Sequence, residues 1–283
     1  MAQNNVRLTL LITTFNRATL LERSLRRLLR IGTIPDEILI VDDGSQDHTR
    51  QVCETFKEIL PIAYIYRDYP FYDSCAIPRN IGVKRARGEY LMHSEPEILF
   101  VTDVIAQAMT AAAERPNEVI SQGVIYHMGE TTPYSENLIT DPARVLREEW
   151  DVRPYPEHYV ANFPSDVVTE WRPVSQWVGL YRREWLLEVG GWDEDFSLLN
   201  NGFGYAWDDI DLLTRLRIKG HNQYRVPDMS VIHQWHDKNG ANLDGVWQNE
   251  VIIKRKQLGD ENGYEAPHNP NLIANRGREW GKL

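Results

Sequence analysis

Acidic side chains occur in three short runs whose spacing suits chemistry on a charged ligand. The runs are Asp42-Asp43-Gly44-Ser45, Glu95-Pro96-Glu97 and Trp207-Asp208-Asp209-Ile210-Asp211. Carboxylates in such runs bind divalent cations or take protons from a reacting hydroxyl group. Each run also has an ordinary structural interpretation, as a tight turn, as solvated surface charge or as the first turn of a helix. Their placement relative to the predicted strands decides between these interpretations.

Two histidines three residues apart, His233 and His236, offer imidazole ligands. They follow an apolar segment that we interpret as a strand. A lone histidine is usually structural, but a pair together with carboxylates suits Mn²⁺ or Zn²⁺. The spacing differs from the H-E-x-x-H motif of zinc proteases, so a protease of that class is disfavoured.

The elements that must position these groups alternate between strand and helix from residue 6 to residue 114. Apolar β-branched runs predict strands at 6–14, 37–41, 62–66 and 89–93, and periodic apolar residues predict helices from 19 and at 47–59, 76–87 and 103–114. This alternation predicts an α/β fold whose parallel sheet is covered on both faces. Ligands of such sheets bind beyond the carboxyl ends of the strands. The polar residues expected there are Thr14, Asn16, Asp42, Asp43, Glu95 and Glu97.

The second half of the chain is less regular. Residues 129–175 contain six prolines and scattered aromatic residues, and we expect an ordered loop that carries function. The elements expected around it are a strand at 119–128, a short helix at 183–189 closed by Gly190 and Gly191, a helix at 207–219 and one or two strands at 223–234. The last fifty residues show no clear period and are interpreted as a helix and a tail.

Composition narrows the function classes. The 283 residues carry a net charge of −10, which makes non-specific nucleic-acid binding unfavourable, because that binding depends on lysine and arginine. A phosphate ligand would need a metal ion or a local basic cluster. The arginines of the first predicted helix do not supply that cluster, since all of them are expected to face solvent: Arg23, Arg26, Arg27 and Arg30.

Several other classes are excluded by what the sequence lacks. The two cysteines cannot form a disulfide scaffold or a four-thiolate zinc site. The turn after the first strand has no glycine, and no Walker loop is present, so dinucleotide and P-loop nucleotide sites are disfavoured. No stretch reaches the roughly 18 apolar residues of a membrane span, and no signal peptide is recognisable, so we expect a cytoplasmic protein.

Five segments in order carry a resemblance to glycosyltransferases with the GT-A fold. Three of them, Leu11–Arg17, Ile40–Asp47 and Arg79–Tyr90, resemble family 2 glycosyltransferases. The other two, Gly190–Phe196 and Gly202–Leu216, resemble the C-terminal catalytic half shared by galactosyl-, chondroitin- and polypeptide N-acetylgalactosaminyl-transferases. The resemblance implies a Rossmann-like, mostly parallel sheet flanked by helices.

The resemblance also divides the chain. It implies a GT-A domain at 1–240, with a nucleotide-sugar half at about 1–128 and an acceptor half at about 129–240, and a C-terminal extension at 241–283. The donor-binding residues that it implies are Thr14, Asn16, Arg17, Asp42, Asp43, Arg79 and Glu95. Among these, Thr14, Asn16 and Asp43 would hold the base and ribose, and Arg79 would brace the acidic loop.

A metal site is implied by the same resemblance. The D-x-D motif of the family aligns with Glu95-Pro96-Glu97, and Glu97 and His233 would bind Mn²⁺ or Mg²⁺. Glutamate keeps the charge of aspartate but reaches one methylene further. This departure therefore bears on the placement and affinity of the metal and on whether the reaction depends on it.

The resemblance implies transfer of a sugar from a nucleotide diphosphate, expected to be UDP, to a hydroxyl group of a glycan, protein or other acceptor. Asp208-Asp209 aligns with the E-D motif, and Asp209 would take the acceptor proton. Trp177, Trp207 and Asp211 are the candidate acceptor residues. Inversion is expected, and the polypeptide-transferase likeness leaves retention open. The alternatives are a nucleotidyltransferase, a non-catalytic sugar- or nucleotide-binding protein and a metallohydrolase.

Overall fold

A computed structural model describes residues 7–68, 75–130, 134–148, 153–154, 177–198, 208–237, 274–275, 277 and 279–282. The strands are β1 Leu8–Thr14, β2 Glu37–Asp42, β3 Ile62–Tyr66, β4 Tyr90–Ser94, β5 Ile98–Phe100, β6 Val119–His127, β7 Arg153–Pro154, β8 Gly179–Arg182 and β9 Gln223–His233. The helices are α1 Ala18–Leu28, α2 Thr49–Lys57, α3 Ala76–Arg85, α4 Val104–Glu114, α5 Asn137–Thr140, α6 Pro142–Glu148, α7 Arg183–Glu188, α8 Asp195–Leu198 and α9 Asp208–Ile218. Within these ranges, no helix combines the length and the apolar character needed to cross a membrane.

The strands form one sheet in the order β3-β2-β1-β4-β8-β6-β9-β5, and β7 pairs with β6. The first four strands of this order are parallel to one another, which confirms the parallel α/β arrangement predicted for the first half. β8 then runs antiparallel to β4, while β9 is parallel to β6. Thr14 pairs with Asp42, so the carboxyl ends of β1 and β2 lie at the same edge of the sheet.

Helices cover both faces of the sheet. Leu10 and Ile12 of β1 pack into the core formed with α1, α2 and α4, and Leu11 packs into the core formed with α3, α7 and α9. Burial on both faces explains why the apolar residues Leu10, Leu11 and Ile12 follow one another in β1 instead of alternating with polar ones. Gly82 lets α3 approach this strand closely, because a Cβ there would overlap the side chain of Leu11.

The arginines of α1 correct one prediction. Arg27 is buried, and its guanidinium donates hydrogen bonds to the carbonyl oxygens of Phe100, Val101 and Ile139. These carbonyls lie at the end of β5, in the residue that follows it and in α5. Because water cannot reach them there, they need hydrogen-bond donors from the protein. The expectation that Arg27 faces solvent is therefore wrong.

The neighbouring arginines contact the segment at 134–140 as well. Arg23 lies over the ring of Tyr134, with 3.6 Å from its guanidinium carbon to the ring centroid, and Arg26 forms an ion pair with Glu136. The arginine face of α1 is thus the surface on which α5 rests, although Arg26 and Glu136 remain partly exposed.

Six of the described elements were not predicted from the sequence. The short strand β5 follows β4 after Pro96, β8 precedes α7 and α8 follows it, and α5, α6 and β7 occupy part of the stretch interpreted as irregular. Most of 129–175 and most of the last fifty residues lie outside the described ranges, as does the helix expected near the C-terminus. The described residues between 274 and 282 pack against the main domain.

Candidate functional site

The turns that follow β1 and β2 form the first part of the candidate site, which we call the turn edge (residues 14–16 and 42–47). The side chain of Asn16 accepts hydrogen bonds from the backbone N–H groups of Gln46, at 2.7 Å, and Asp47, at 3.3 Å. Asn16 has a φ of 51°, in the left-handed region that asparagine tolerates better than most residues. Its amide thus ties the two turns together.

The paired aspartates of the turn edge have different surroundings. Asp42 accepts hydrogen bonds from the hydroxyl of Tyr64, at 2.5 Å, and from the backbone N–H of Ser45, at 2.8 Å. Asp43 accepts a hydrogen bond from Arg67, with 2.7 Å between Oδ1 and Nη1. Asp42 and Asn16 thus hold the two turns together, and the donor contacts that the resemblance implies for them stay predictions.

Arg79 is the central cation of the second part of the site. Its guanidinium donates to Asp208, at 2.5 Å, to Glu95, at 2.9 Å, and to Nε2 of His93, at 3.0 Å. It therefore links the strand end that carries Glu95 to the first turn of α9. These contacts are compatible with the bracing role that the resemblance implies for Arg79, and they also reach a helix from the other half of the chain.

The environment of Arg79 fixes the charge states around it. Burial alone lowers the pKa of Arg79, but the neighbouring carboxylates, Asp208 first among them, outweigh burial and raise the pKa above its ordinary value. Burial and the Arg79 charge lower the pKa of His93 well below its ordinary value, so this imidazole is neutral and accepts the hydrogen bond. Burial and the charge of Glu97 raise the pKa of Glu95.

Three side chains that could hold a metal ion, Glu97, His233 and His236, lie beside Glu95, and we call these three residues the metal cluster. One ligand atom from each residue falls within 4.8 Å of the others. Oε1 of Glu97 is 3.7 Å from Nε2 of His233 and 3.4 Å from Nε2 of His236. The two histidines lie at the end of β9 and just after it, and β9 pairs with β5, the strand that follows Glu97.

The carboxylate of Glu97 is ionised in this cluster. Burial alone raises the pKa of Glu97, but the hydrogen bond from His236 and the two imidazoles outweigh burial and lower it. Burial lowers the pKa of His233, whereas Glu97 outweighs the effect of burial on His236 and raises its pKa. A negative carboxylate beside a neutral imidazole is the state that binds a cation.

Two further residues lie near the metal cluster. The H-x-x-H spacing pairs His236 with His233, but the resemblance implies only His233 as a ligand. The Nη2 atom of Arg17 lies 3.1 Å from Nδ1 of His236 and 3.0 Å from the carbonyl oxygen of Asp237, and the donor contact that the resemblance implies for Arg17 stays a prediction. Arg17 therefore holds the segment that follows β9.

The acidic start of α9 divides into three environments. Asp208 is bound to Arg79, while Asp209 is half-buried and accepts a hydrogen bond from the N–H of Ile210, at 2.8 Å. Asp211 is fully buried and forms an ion pair with Arg215, at 2.7 Å. The prediction that Asp211 contacts an acceptor is therefore wrong, because its carboxylate is enclosed in the core.

The predicted acceptor tryptophans are only partly described. Trp177 is half-buried, and its ring meets the edge of His127, with 5.6 Å between ring centroids. His127 in turn stacks on His233, at 4.7 Å. One ring, that of His127, thus lies between Trp177 and His233 of the metal cluster, while Trp207 lies outside the described residues.

Comparisons with known proteins identify relatives of the chain. The family model described as Glycosyl transferase family 2 matches residues 9–168. Validoxylamine A glucosyltransferase of Streptomyces hygroscopicus subsp. limoneus is 27% identical over 225 residues, which cover 75% of this chain and 48% of that protein. Chondroitin synthase of Escherichia coli is 34% identical over 221 residues, which cover 70% of this chain and 32% of that protein. The chain spans about half or less of the length of these curated relatives.

Among solved structures, GalNAc-T7 with UDP, GalNAc and Mn²⁺ superposes with a TM-score of 0.61 at 12% sequence identity. The match covers 96% of this chain and 55% of that one. At this identity the likeness concerns the fold, which is that of the GT-A glycosyltransferases.

Proposed function

Because the chain belongs to glycosyltransferase family 2, we propose that it transfers a sugar from a nucleotide diphosphate donor to a hydroxyl group of an acceptor. The observation that carries the proposal is the juxtaposition of the metal cluster with the carboxylates bound to Arg79. A donor diphosphate needs positive charge, and an acceptor hydroxyl needs a base. Both requirements meet at one edge of the sheet.

The metal cluster fits a divalent transition metal. One carboxylate and two imidazoles form a donor set that suits Mn²⁺ better than Mg²⁺, which prefers oxygen ligands and water. Three protein ligands leave coordination positions for phosphate oxygens. A bound ion would neutralise charge on the departing diphosphate. The Mn²⁺ in the GalNAc-T7 structure supports this assignment.

The two glutamates of Glu95-Pro96-Glu97 have separate tasks in this proposal. Glu97 belongs to the metal cluster, whereas Glu95 is bound to Arg79. The extra methylene of glutamate, relative to the aspartate of the family motif, is therefore compatible with a cation site. We assign metal binding to Glu97, His233 and His236 and assign Glu95 to the support of Arg79.

The donor nucleoside is assigned to the turn edge. The Asp43 carboxylate can accept an N–H of a base, and the neighbouring Arg67 guanidinium can donate to a base carbonyl. Uracil presents an N–H flanked by two carbonyl groups and therefore suits this pair. The buried hydroxyl of Thr14 lies at the same edge, which supports its predicted place in the nucleoside site. We propose UDP as the donor nucleotide on this ground.

Asp209 is proposed as the base. Asp208 is bound to Arg79, so of the two neighbours Asp209 is better placed to accept a proton. The acceptor oxygen forms a bond to the anomeric carbon as the bond from that carbon to the diphosphate oxygen breaks. The acceptor proton moves to Asp209, and the nucleoside diphosphate leaves with the bonding electrons. This single displacement inverts the configuration of the sugar.

The proposal is tested by measuring UDP release from a panel of UDP-sugars with Mn²⁺, with EDTA and with the Glu97→Gln variant. A GDP-sugar panel runs in parallel, and NMR of the glycoside product gives its anomeric configuration. Metal-dependent UDP release and an inverted product support the proposal. Nucleotide binding without turnover on any donor or acceptor contradicts it and favours a binding protein. A retained product contradicts the single displacement.

A further inference from the structure

The described residues between Ala274 and Lys282 form a segment that lies against the loop after α7, and we call it the C-terminal strap. Its best-anchored member is Asn275, which is buried. The Asn275 side-chain amide donates to the carbonyl oxygens of Gly190 and Trp192, both at 2.8 Å, and accepts from the N–H of Glu194, at 3.1 Å. One side chain thus satisfies three backbone groups of the loop Gly190–Glu194.

The other end of the strap approaches the same loop and α3. The N–H of Gly281 donates to the Glu194 carboxylate at 2.8 Å. Gly281 has a φ of 61°, and a Cβ there would lie 2.8 Å from the backbone oxygen of Asn80. The ring of Trp280 lies under Lys84, with 4.2 Å from Nζ to the ring centroid. Only glycine fits the place where the strap crosses α3.

Asn80 of α3 also forms hydrogen bonds with this loop. Its amide donates to the Trp192 carbonyl oxygen, at 2.8 Å, and to the Glu194 carboxylate, at 2.9 Å, and it accepts from the N–H of Trp192, at 2.8 Å. The Trp192 carbonyl oxygen therefore receives hydrogen bonds from both Asn80 and Asn275. Trp192 is held between α3 and the strap.

The ring of Trp192 connects this network to the candidate site. The guanidinium carbon of Arg79 lies 5.6 Å from the centre of that ring, and His93 lies 5.7 Å from it, between ring centroids. Arg79 precedes Asn80 in α3 and binds both Glu95 and Asp208. A displacement of Trp192 would therefore shift Arg79 and, with it, the carboxylates of Glu95 and Asp208.

We propose that the C-terminal strap positions Arg79 for the transfer reaction, an inference that rests on the proposed function. The strap fixes the Trp192 backbone, and the Trp192 ring fixes the guanidinium that orients the start of α9 beside Asp209. Asn275 and Gly281 are thus positioning residues for turnover. The hydrogen bonds of this network do not include the turn edge, so we expect changes in the strap to leave nucleoside binding unaffected.

The test compares Asn275→Gly, which keeps a left-handed φ but removes the amide, with Glu279→Gln. Glu279 pairs with Lys282 on the exposed side of the same strap. We expect Asn275→Gly to lower kcat about tenfold or more, with the donor KM within about twofold of the wild-type value, and Glu279→Gln to change neither. Gly281→Ala is a second variant, for which we also expect a lower kcat with the donor KM nearly unchanged.

Hydrogen–deuterium exchange of the full chain provides a readout that does not depend on activity. In Asn275→Gly, amides of 94–97 and 208–213 should exchange faster, while those of α2 should not change. Unchanged exchange at 208–213, or an unchanged kcat in a variant with a lowered melting temperature, would overturn the proposal and leave the strap a stabilising element only. A wild-type chain that transfers no sugar refutes the proposed function, and exchange still decides the role of the strap.

Discussion

The turn edge and the metal cluster are both acidic, but they are assembled in different ways. At the turn edge, Asn16 and Asp42 bond to residues of the two adjoining turns or of the next strand. In the metal cluster, Glu97 comes from the first half of the chain and both histidines come from the second. The turn edge is thus organised by local chain geometry, whereas the metal cluster exists only when β5 and β9 are paired.

This difference predicts how each region responds to change. If the metal cluster binds a divalent cation, as we propose, removing that cation would leave no positive charge beside Glu97 to offset a diphosphate. Removing one polar side chain from the turn edge leaves the other bonds of the turns in place. Perturbations of the metal cluster should therefore abolish turnover, and those of the turn edge should produce graded losses of affinity or stability.

The largest effect is expected from metal removal. EDTA should abolish transfer and Mn²⁺ should restore it, because the buried arginine at the site is already paired with Glu95 and Asp208. Glu97→Gln should weaken Mn²⁺ binding, measured by electron paramagnetic resonance. Glu136→Gln, on an exposed ion pair, is the control and should bind Mn²⁺ normally. Full activity in chelator would show that the cluster works without a cation.

The next effect separates chemistry from binding within α9. Asp209→Asn keeps the size of the side chain and removes its basicity, so kcat should fall by about 10²–10⁴. Donor affinity, measured by calorimetry with UDP, should not change. Asp208→Asn should reduce kcat less and lower the melting temperature more, because it leaves buried Arg79 with one carboxylate fewer. The reverse order of effects would make Asp208 the base.

A smaller effect is expected at the turn edge. Asp43→Ala should raise the Kd for UDP about tenfold or more, since the loss of a hydrogen bond to a charged group costs about 1.5–3 kcal/mol. The substitution also leaves Arg67 without the carboxylate that orients it. Asp68→Ala, at an exposed neighbouring position, is the control. Equal UDP affinity for wild type and Asp43→Ala would show that the nucleoside does not bind at the turn edge.

The same contrast explains how far the sequence could predict the molecule. The succession of β1 to β4 along the chain and the polar residues at the ends of the strands follow from local patterns. The structure confirms that these four strands form a parallel sheet. The resemblance pairs Glu97 with His233, but local patterns do not. The contacts of His236 with Glu97 and of Asp208 with Arg79 could not be predicted, because they depend on the positions of β9 and α9 in the fold. Arg27 was misplaced for a related reason: helical periodicity grouped it with exposed arginines, but the carbonyls of Phe100 and Val101 needed a donor.

The smallest effect concerns Asn16, and it tests whether the turn edge is organised by its own bonds. Asn16→Gly keeps a left-handed φ and removes hydrogen bonds to two backbone N–H groups, each worth about 0.5–1.5 kcal/mol. Asn16→Ala removes the same bonds and adds the strain of a positive φ, about 1 kcal/mol more. The free energy of unfolding in urea should therefore be highest for the wild type, lower for Asn16→Gly and lowest for Asn16→Ala.

UDP affinity should stay within about twofold of the wild-type value in Asn16→Gly, because the amide faces the turn. A twofold change is only about 0.4 kcal/mol. A loss of UDP affinity as large as that of Asp43→Ala, with unfolding unchanged, would mean that Asn16 contacts the nucleoside as the resemblance implies and that the turns hold together without it.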